Sequence, residues 1–336
     1  MLASRIARKF CDFLRLFLRF DLLSMFLLIF TGIIIHMNHK GLFILNSFYR
    51  HPSNLYKIER LQECFLKYGI TMETRDALSL SMVASGDSFF IPGIEDYDFA
   101  IDLDKDIYLA RAVSLKIPMF NSYRSLLLSD DKMSSILALY QAGVKAPKTI
   151  SAPLCYTEWI DGEVENRFYD LLERELSYPM VYKACPGSLG KQVKLISSRK
   201  ELQEMYRLSC HQEHLYEEYL DSHVGDDYRL IVVDHKVIAV MERKNEHDFR
   251  SNIALGGKGY DVTDSIEEVY KEVAIKASEA LDLDYAGIDL ARGKNGEPIF
   301  LEANGNAFFT EVEKVTHIDI ANEVVKMIIN RIYQNK

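Results

Sequence analysis

The sequence predicts a mixed α/β (α+β) protein: a small parallel α/β unit followed by a larger unit built on antiparallel strands. Two observations carry this. From Gly41 to about residue 125, strand and helix patterns alternate, the signature of a parallel sheet with crossover helices. From Met180 onward, several strands are separated only by short turns, with few helices between, as in an antiparallel sheet covered on one face. The chain has 336 residues, enough to bury a large core and to form two or three domains.

Leu42–Leu45 is a short apolar strand. Asn54–Tyr68 carries Leu55, Ile58, Leu61, Phe65 and Leu66 at helical spacing, and Gly69 closes it. Ile70–Thr74 is a second strand, and Tyr97–Leu103 alternates as a third. Asp104–Leu115 reads as a helix and Pro118–Asn121 as a strand. Ser129–Ala142 reads as one helix with Ser129, Asp130 and Asp131 as candidate caps, ended by Gly143 and Pro147. Met180–Lys183, Val193–Ile196, His214–Leu220, Tyr228–Val233 and Val237–Arg243 are strands, with a helix at Arg199–Leu208. Ile266–Leu281 is a long helix. Tyr285–Leu290 and Pro298–Ala303 are strands joined by a turn at Arg292–Gly296, and a helix from about Asp319 to Tyr333 ends the chain.

A hydrophobic fraction of 48 % with 26 % charged residues is globular rather than disordered. The net charge of −9 argues against general nucleic-acid binding, which needs clustered Lys and Arg. Five cysteines are scattered without a CxxC or a His/Cys cluster, so neither a disulfide framework nor a structural zinc site is expected, and a reducing compartment is. His211 and His214 form an HxxH pair with no third ligand beside it in sequence.

The first 36 residues differ from the rest. Basic residues from Arg5 to Arg19 precede the apolar run Leu22–Ile35. At 14 residues this run is short of the about 20 that span a bilayer. No small-residue cleavage site follows, as a signal peptide would require. Three readings remain: a mis-assigned or dispensable extension ahead of a start at Met37, a helix lying against a membrane surface, or a true span or signal.

Two stretches carry chemistry. Gly187 and Gly190, with Ser188 and Lys191, form a loop between two strands, and Lys183 stands just before it. Such a loop can fold over phosphates and offer backbone N–H groups; an ordinary hairpin turn has the same pattern. Asp289 and Glu302 end adjacent strands, and Asn304 lies two residues on, so that Glu302 and Asn304 share a face. Three hard oxygen ligands on two strands suit Mg²⁺.

In order along the chain, five stretches resemble the ATP-grasp superfamily and, within it, the RimK-type ligases. They are Asp131-Lys132 with Gly143–Thr149, the glycine loop, Asp248–Asn252 with Gly256-Gly257, Asp284–Asp289, and Glu302–Ala307 with Ile318–Ala321. The resemblance covers about 37 to 333. It implies an ATP-grasp fold: a basic and apolar extension over 1–36, a Rossmann-like pre-ATP-grasp domain over 37–128, and a two-lobed ATP-grasp domain over 129–336 with 180–220 as the lid. By the same resemblance Lys132 and Lys183, with Gly187, Ser188, Gly190 and Ser251, contact the nucleotide phosphates. Glu218 and Tyr219 form the adenine hinge, and Asp227 binds the ribose region. Arg229, Arg243, Arg250 and Asn252 surround the transferred phosphate and the substrate carboxylate. Asp289, Glu302 and Asn304 hold Mg²⁺, with Mn²⁺ as a substitute. The chain departs from the family pattern at Gln192, where a third glycine is common, and at Gly305-Asn-Ala-Phe-Phe309, where Ser-Pro-Gly is common.

The activity so implied is ATP- and Mg²⁺-dependent joining of a carboxylate to an amine through an acyl phosphate, adding glutamate or another amino acid. The expected partners are ATP and small-molecule or peptide substrates, with no nucleic acid, in a cytoplasmic dimer or tetramer. Membrane contact is expected only through residues 1–36. Two rival readings are a catalytically idle nucleotide-binding regulator and a membrane-associated ligase acting on an envelope precursor.

Overall fold

A computed structural model describes residues 39–334 except 50, 157–160, 186–191 and 254–255. The readings of residues 1–36 and of Gly187, Ser188 and Gly190 lie outside the described residues. No described helix is long and apolar enough to cross a membrane.

The first unit comprises β1 (Lys40–Leu45), α1 (Pro52–Lys67), β2 (Thr71–Asp76), a hairpin of β3 (Val83–Ser85) and β4 (Ser88–Phe90), β5 (Phe99–Asp102) and α2 (Ile107–Ser114). Its sheet is parallel, in the order β2-β1-β5. Leu42, Phe43 and Ile44 are all buried because both faces of β1 are covered, which is why the strand reads as an unbroken apolar run. Pro52 opens α1, and His51 Nδ1 accepts from the Ser53 N–H at 3.1 Å, satisfying a donor that the first turn leaves over. Leu61 and Phe65 fill the core beneath α1; truncating Leu61 to Ala would cost about 2–5 kcal/mol.

The expected strand at Pro118–Asn121 reduces to a single bridge between Ala100 and Met119. Pro118 has no N–H to extend a ladder, and Asn121 turns its amide toward another strand. The helix expected over Ser129–Ala142 is α4 (Lys132–Gln141), and a separate helix, α3 (Tyr123–Asp130), precedes it. The break is at Asp131, whose backbone is extended and whose carboxylate caps α4 by accepting from Ser134 N–H at 2.6 Å.

The single antiparallel sheet expected from Met180 onward is two sheets. One contains β6 (Thr149–Ser151), β7 (Met180–Ala184), β8 (Val193–Ile196) and β9 (His214–Glu218), in the order β6-β9-β7-β8. The helices α5 (Gly162–Glu175) and α6 (Arg199–Ser209) cover it through Phe168, Tyr169 and Tyr206. The other holds β10 (Asp226–Val233), β11 (Lys236–Lys244), β12 (Lys258–Asp261), β13 (Tyr285–Arg292) and β14 (Pro298–Asn304), in the order β12-β11-β10-β13-β14. Its helices are α7 (Glu268–Ala280), α8 (Thr310–Thr316) and α9 (Ile320–Gln334).

Alternation along β10 builds the centre of the molecule. Leu230 and Val232 face α7, packing with Tyr270 and Ala274. Ile231 and Val233 face the opposite way, into a core that continues through Val325 and Ile328 of α9 to Leu61 and Phe65 of α1. One apolar cluster therefore joins the parallel unit to the five-stranded sheet. Asp227 and Arg229 continue the face of Ile231 beyond that core, where the apolar residues stop.

Candidate active site

Strand register places three charged residues in a row. Arg229 on β10 lies opposite Asp289 on β13, and Asp289 lies opposite Glu302 on β14. Arg229 donates from Nε and Nη2 to the two oxygens of Asp289 at 2.8 and 2.6 Å. Its Nη1 makes no hydrogen bond among the described residues. One step along, Arg243 on β11 is opposite Asp227. It donates to both Asp227 oxygens at 2.6 and 2.5 Å and reaches Asp289 at 2.9 Å.

Asp227, Arg243 and Asp289 are buried at 6 %, 4 % and 5 % exposure, so their charges persist only because they are matched. Burial works against the Arg243 cation, but Asp227 and Asp289 outweigh it and hold its pKa above the ordinary value. Burial likewise works against the Asp289 carboxylate, and Arg229 and Arg243 outweigh it and hold its pKa below the ordinary range. Asp227, expected at the ribose, lines the cavity and is the partner of Arg243.

Glu302 and Asn304 differ from Asp289. Among the described residues neither side chain has a hydrogen-bond or ion-pair partner, and both line a cavity of about 430 Å³. Two such oxygen donors beside the Asp289 carboxylate, at the end of an apolar strand, fit a hard divalent cation. Without one, the Glu302 charge is uncompensated next to buried Leu290 and Phe300.

The opposite wall comes from the four-stranded sheet. Lys183 on β7 pairs with Glu217 on β9 at 2.6 Å, with Glu217 only 4 % exposed. Glu217 is not among the site residues expected from the sequence; a carboxylate inside the aromatic and apolar run of β9 was the available signal. Glu218 accepts from the Lys148 N–H at 2.8 Å and returns its own N–H to the Lys148 carbonyl at 2.9 Å. Its side chain therefore fixes β9 against the start of β6, and Tyr219 follows at the cavity edge.

Arg250, Ser251 and Asn252 close the cavity from the loop after β11. Arg250 is held by Asp248 through bonds of 3.0 and 2.7 Å, which draw the Asp248 carboxyl below its usual range. The loop can approach β10 because Gly225, at φ +73°, has no side chain: a Cβ there would sit 2.2 Å from the Asn245 carbonyl oxygen. That closeness allows Gly225 N–H to donate to Phe249 and Asn245 N–H to donate to Gly225.

Lys132 is not among the described residues that line the cavity. It is buried in the first turn of α4, near the Cys185 thiol at the end of β7. Two residues that the sequence did not flag support the segment after Asn304. Lys57 of α1 donates to Asn306 Oδ1 at 2.7 Å and to the Ala307 carbonyl at 3.2 Å, with its ammonium 4.6 Å from the Tyr285 ring centre. Its place one turn before Leu61 on the buried stripe was legible from helical spacing. Asn121 donates to the carbonyls of Tyr285 and Gly305 and accepts from the N–H groups of Asp284 and Tyr285. It ties the parallel unit to the strands that bear Asp289 and Asn304.

Residues 129–328 match the model of the RimK-like ATP-grasp domain. The chain is 30 % identical over 290 residues to a Citrobacter koseri protein named "Probable alpha-L-glutamate ligase", covering 82 % of this chain and 92 % of that one. It is 29 % identical, over the same shares, to the ribosomal protein bS6–L-glutamate ligase of Escherichia fergusonii. Its fold is similar to that of the D-alanine–D-alanine ligase of Bacillus anthracis solved with ATP, with a TM-score of 0.64 at 18 % identity over 88 % of this chain and 98 % of that one. The chain belongs to the RimK-like ATP-grasp family and is an ATP-dependent ligase.

Proposed function

We propose that this ligase phosphorylates a substrate carboxylate with ATP and passes the acyl group to the amine of an amino acid, with glutamate the first candidate. The observation that carries this is the pairing of Asp289 with Glu302 on one wall of a cavity whose facing wall carries Lys183. A nucleotide between the two sheets would meet Lys183, Glu218 and Tyr219 on one side and the acid row on the other. Asp289, Glu302 and Asn304 would hold Mg²⁺, or Mn²⁺ in its place, which screens phosphate charge and favours transfer. Ser251 and Asn252 would contact the phosphates.

Arg229 directs its remaining Nη1 donor, and Arg250 its guanidinium, toward the oxyanions of the transferring phosphoryl group and the carboxylate. Arg243 acts behind them, holding Asp227 in place and keeping Asp289 ionised. The charges on the acid-bearing wall are largely cancelled within the protein, so the charge of ATP must be met by the cation and Lys183. Gly187, Ser188 and Gly190 would cover the phosphates and exclude water that would hydrolyse an acyl phosphate.

The open end of the cavity bears Tyr49, His51 and Phe308, the last two stacked 4.7 Å apart. These aromatic faces would meet the non-reacting part of the acceptor. We place the protein in the cytoplasm, where ATP is available, and propose 37–128 and 129–336 as its two domains.

The test is ADP release from Mg-ATP against pooled amino acids and short peptides. Glu302→Gln and Asn304→Ala serve as controls, since among the described residues neither side chain has a partner whose loss would unfold the protein. Substrate-dependent ADP that disappears in both variants is expected. ATP binding without ADP production across the panel would instead favour a nucleotide-binding regulator.

A further inference from the structure

The sequence shows no cluster of cysteine and histidine, yet the fold builds one outside the nucleotide cavity. Cys155 follows β6, while Cys210 and His211 follow α6. The ligand atoms of the three lie within 4.8 Å of one another. In sequence Cys155 is 55 residues from Cys210, so no local motif announces the group.

The backbone around it is fastened. Cys155 N–H donates to the Cys210 carbonyl at 2.8 Å, Ala152 N–H donates to His214 at 3.0 Å, and the Tyr206 hydroxyl donates to the Pro153 carbonyl at 3.2 Å. His211 Nδ1 lies 2.7 Å from the Cys155 carbonyl oxygen. A carbonyl only accepts, so Nδ1 carries the proton and the lone pair is on Nε2. A metal-binding imidazole takes this arrangement: one nitrogen donates to a backbone carbonyl and the other is left to the metal. The position suits a cation further, because α6 ends here and directs the negative end of its dipole at the group.

We infer that Cys155, Cys210 and His211 form a binding site for one zinc-like, thiophilic divalent cation. The site is separate from the Mg²⁺–ATP centre and clips the 152–155 segment to the end of α6. Two thiolates and a neutral imidazole cancel the charge of a divalent ion, which allows it to rest against buried Cys210. The two thiol protons leave to solvent on binding. A tetrahedral ion with sulfur ligands near 2.3 Å brings two sulfurs to roughly 3.8 Å, so closure from the present separation needs only a small side-chain movement. Water would complete the fourth position, since three protein ligands leave one open. Mg²⁺ prefers oxygen and does not compete here.

The experiment uses the full chain, reduced and stripped with a chelator, then titrated with CoCl₂ in excess MgCl₂. One equivalent of Co²⁺ should give sulfur-to-cobalt charge-transfer absorption and the visible bands of a tetrahedral site, both bleached by ZnCl₂. His211→Ala and Cys155→Ser alter exposed or half-buried side chains and should still fold. They should weaken Co²⁺ binding by more than about 100-fold, beyond the 10–100-fold typical of losing an outer partner. Glu302→Gln should leave the spectrum unchanged, which separates this site from the nucleotide centre. Zn²⁺ should raise the melting temperature of the wild type and not of Cys155→Ser. Absence of the charge-transfer band, its survival in both variants, or a native Cys155–Cys210 disulfide found by mass spectrometry would overturn the proposal.

Discussion

Arg229 on β10 and Asp289 on β13 face each other across one register step and share two parallel hydrogen bonds of 2.8 and 2.6 Å. The acid proposed to hold the metal is thus also the anion that two arginines require. This separates two carboxylates that look alike in sequence. Asp289→Asn should abolish ADP release and also lower stability by about 3–5 kcal/mol, because Arg229 and Arg243 lose a buried counter-charge. Glu302→Gln should abolish ADP release yet stay within about 0.5 kcal/mol of the wild type, as a side chain without partners among the described residues should. Denaturant melts beside ADP assays check both. Equal destabilisation by the two variants would remove the distinction.

Lys183 and Glu217 form a second pair, 2.6 Å apart and nearly closed to water. Lys183→Met strands the Glu217 charge and should cost about 3–5 kcal/mol. The double variant Lys183→Met with Glu217→Leu should recover most of that stability without recovering nucleotide affinity. Melting curves and ATP titrations distinguish the two effects. A double variant that binds ATP as tightly as the wild type would sink the proposed phosphate role of Lys183.

Gly225→Ala puts a methyl group 2.2 Å from the Asn245 carbonyl oxygen and 2.9 Å from that of Asp248, at φ +73°. Backbone strain on the order of 1–3 kcal/mol is expected, and the loop carrying Arg250 must retreat. Turnover should fall at least about tenfold, in line with the sensitivity of catalysis to ångström displacements. Gly86 is the control: its φ is +64°, but nothing lies within 4 Å of a Cβ. Gly86→Ala should lower stability modestly and leave turnover unchanged.

Lys57 is fully buried, and burial pushes its pKa from 10.5 down to about 7. Its contacts with Asn306, Ala307 and the Tyr285 ring all favour the cation and moderate that effect. The folded state therefore binds this proton less well than the unfolded chain does. As pH falls from about 10.5 to about 7, the unfolded chain takes up the proton first and stability is lost. Below about 7 the loss levels off. Its ceiling is on the order of 5 kcal/mol, at about 1.4 kcal/mol for each pH step between the two titrations. The melting temperature of Lys57→Met relative to the wild type should rise as pH drops through this window and then plateau. A difference that does not change with pH would show that Lys57 stays charged throughout.

Much of this was legible in the chain. The helical spacing of Ile58, Leu61 and Phe65, the apolar run of β1 and the Tyr285–Leu290 and Pro298–Ala303 strands follow from local periodicity, and the structure contains them. The helices α3, α5 and α8 and the short strands β3, β4, β6 and β12 escaped. Val164, Phe168 and Leu172 gave α5 a readable stripe; a three-residue strand such as β6 has too little pattern to stand out. At the break between α3 and α4, the sequence offered three adjacent capping residues, and only the backbone geometry showed that Asp131 caps a second helix.

By itself the sequence determined the inventory: a glycine loop beside Lys183, an acid on each of two strands with Asn304 two residues beyond, and arginines on strands nearby. Alternation and helical spacing are local rules, so they also fixed which face each residue takes. Tertiary structure decided the pairings. It set Asp227 on Arg243 and Asp289 on Arg229, buried Glu217 against Lys183 and Lys132 in the first turn of α4, and brought Cys155 to Cys210 and His211. Each depends on which strands become neighbours and in what register, and that is settled by burying one shared core rather than by any short stretch of chain.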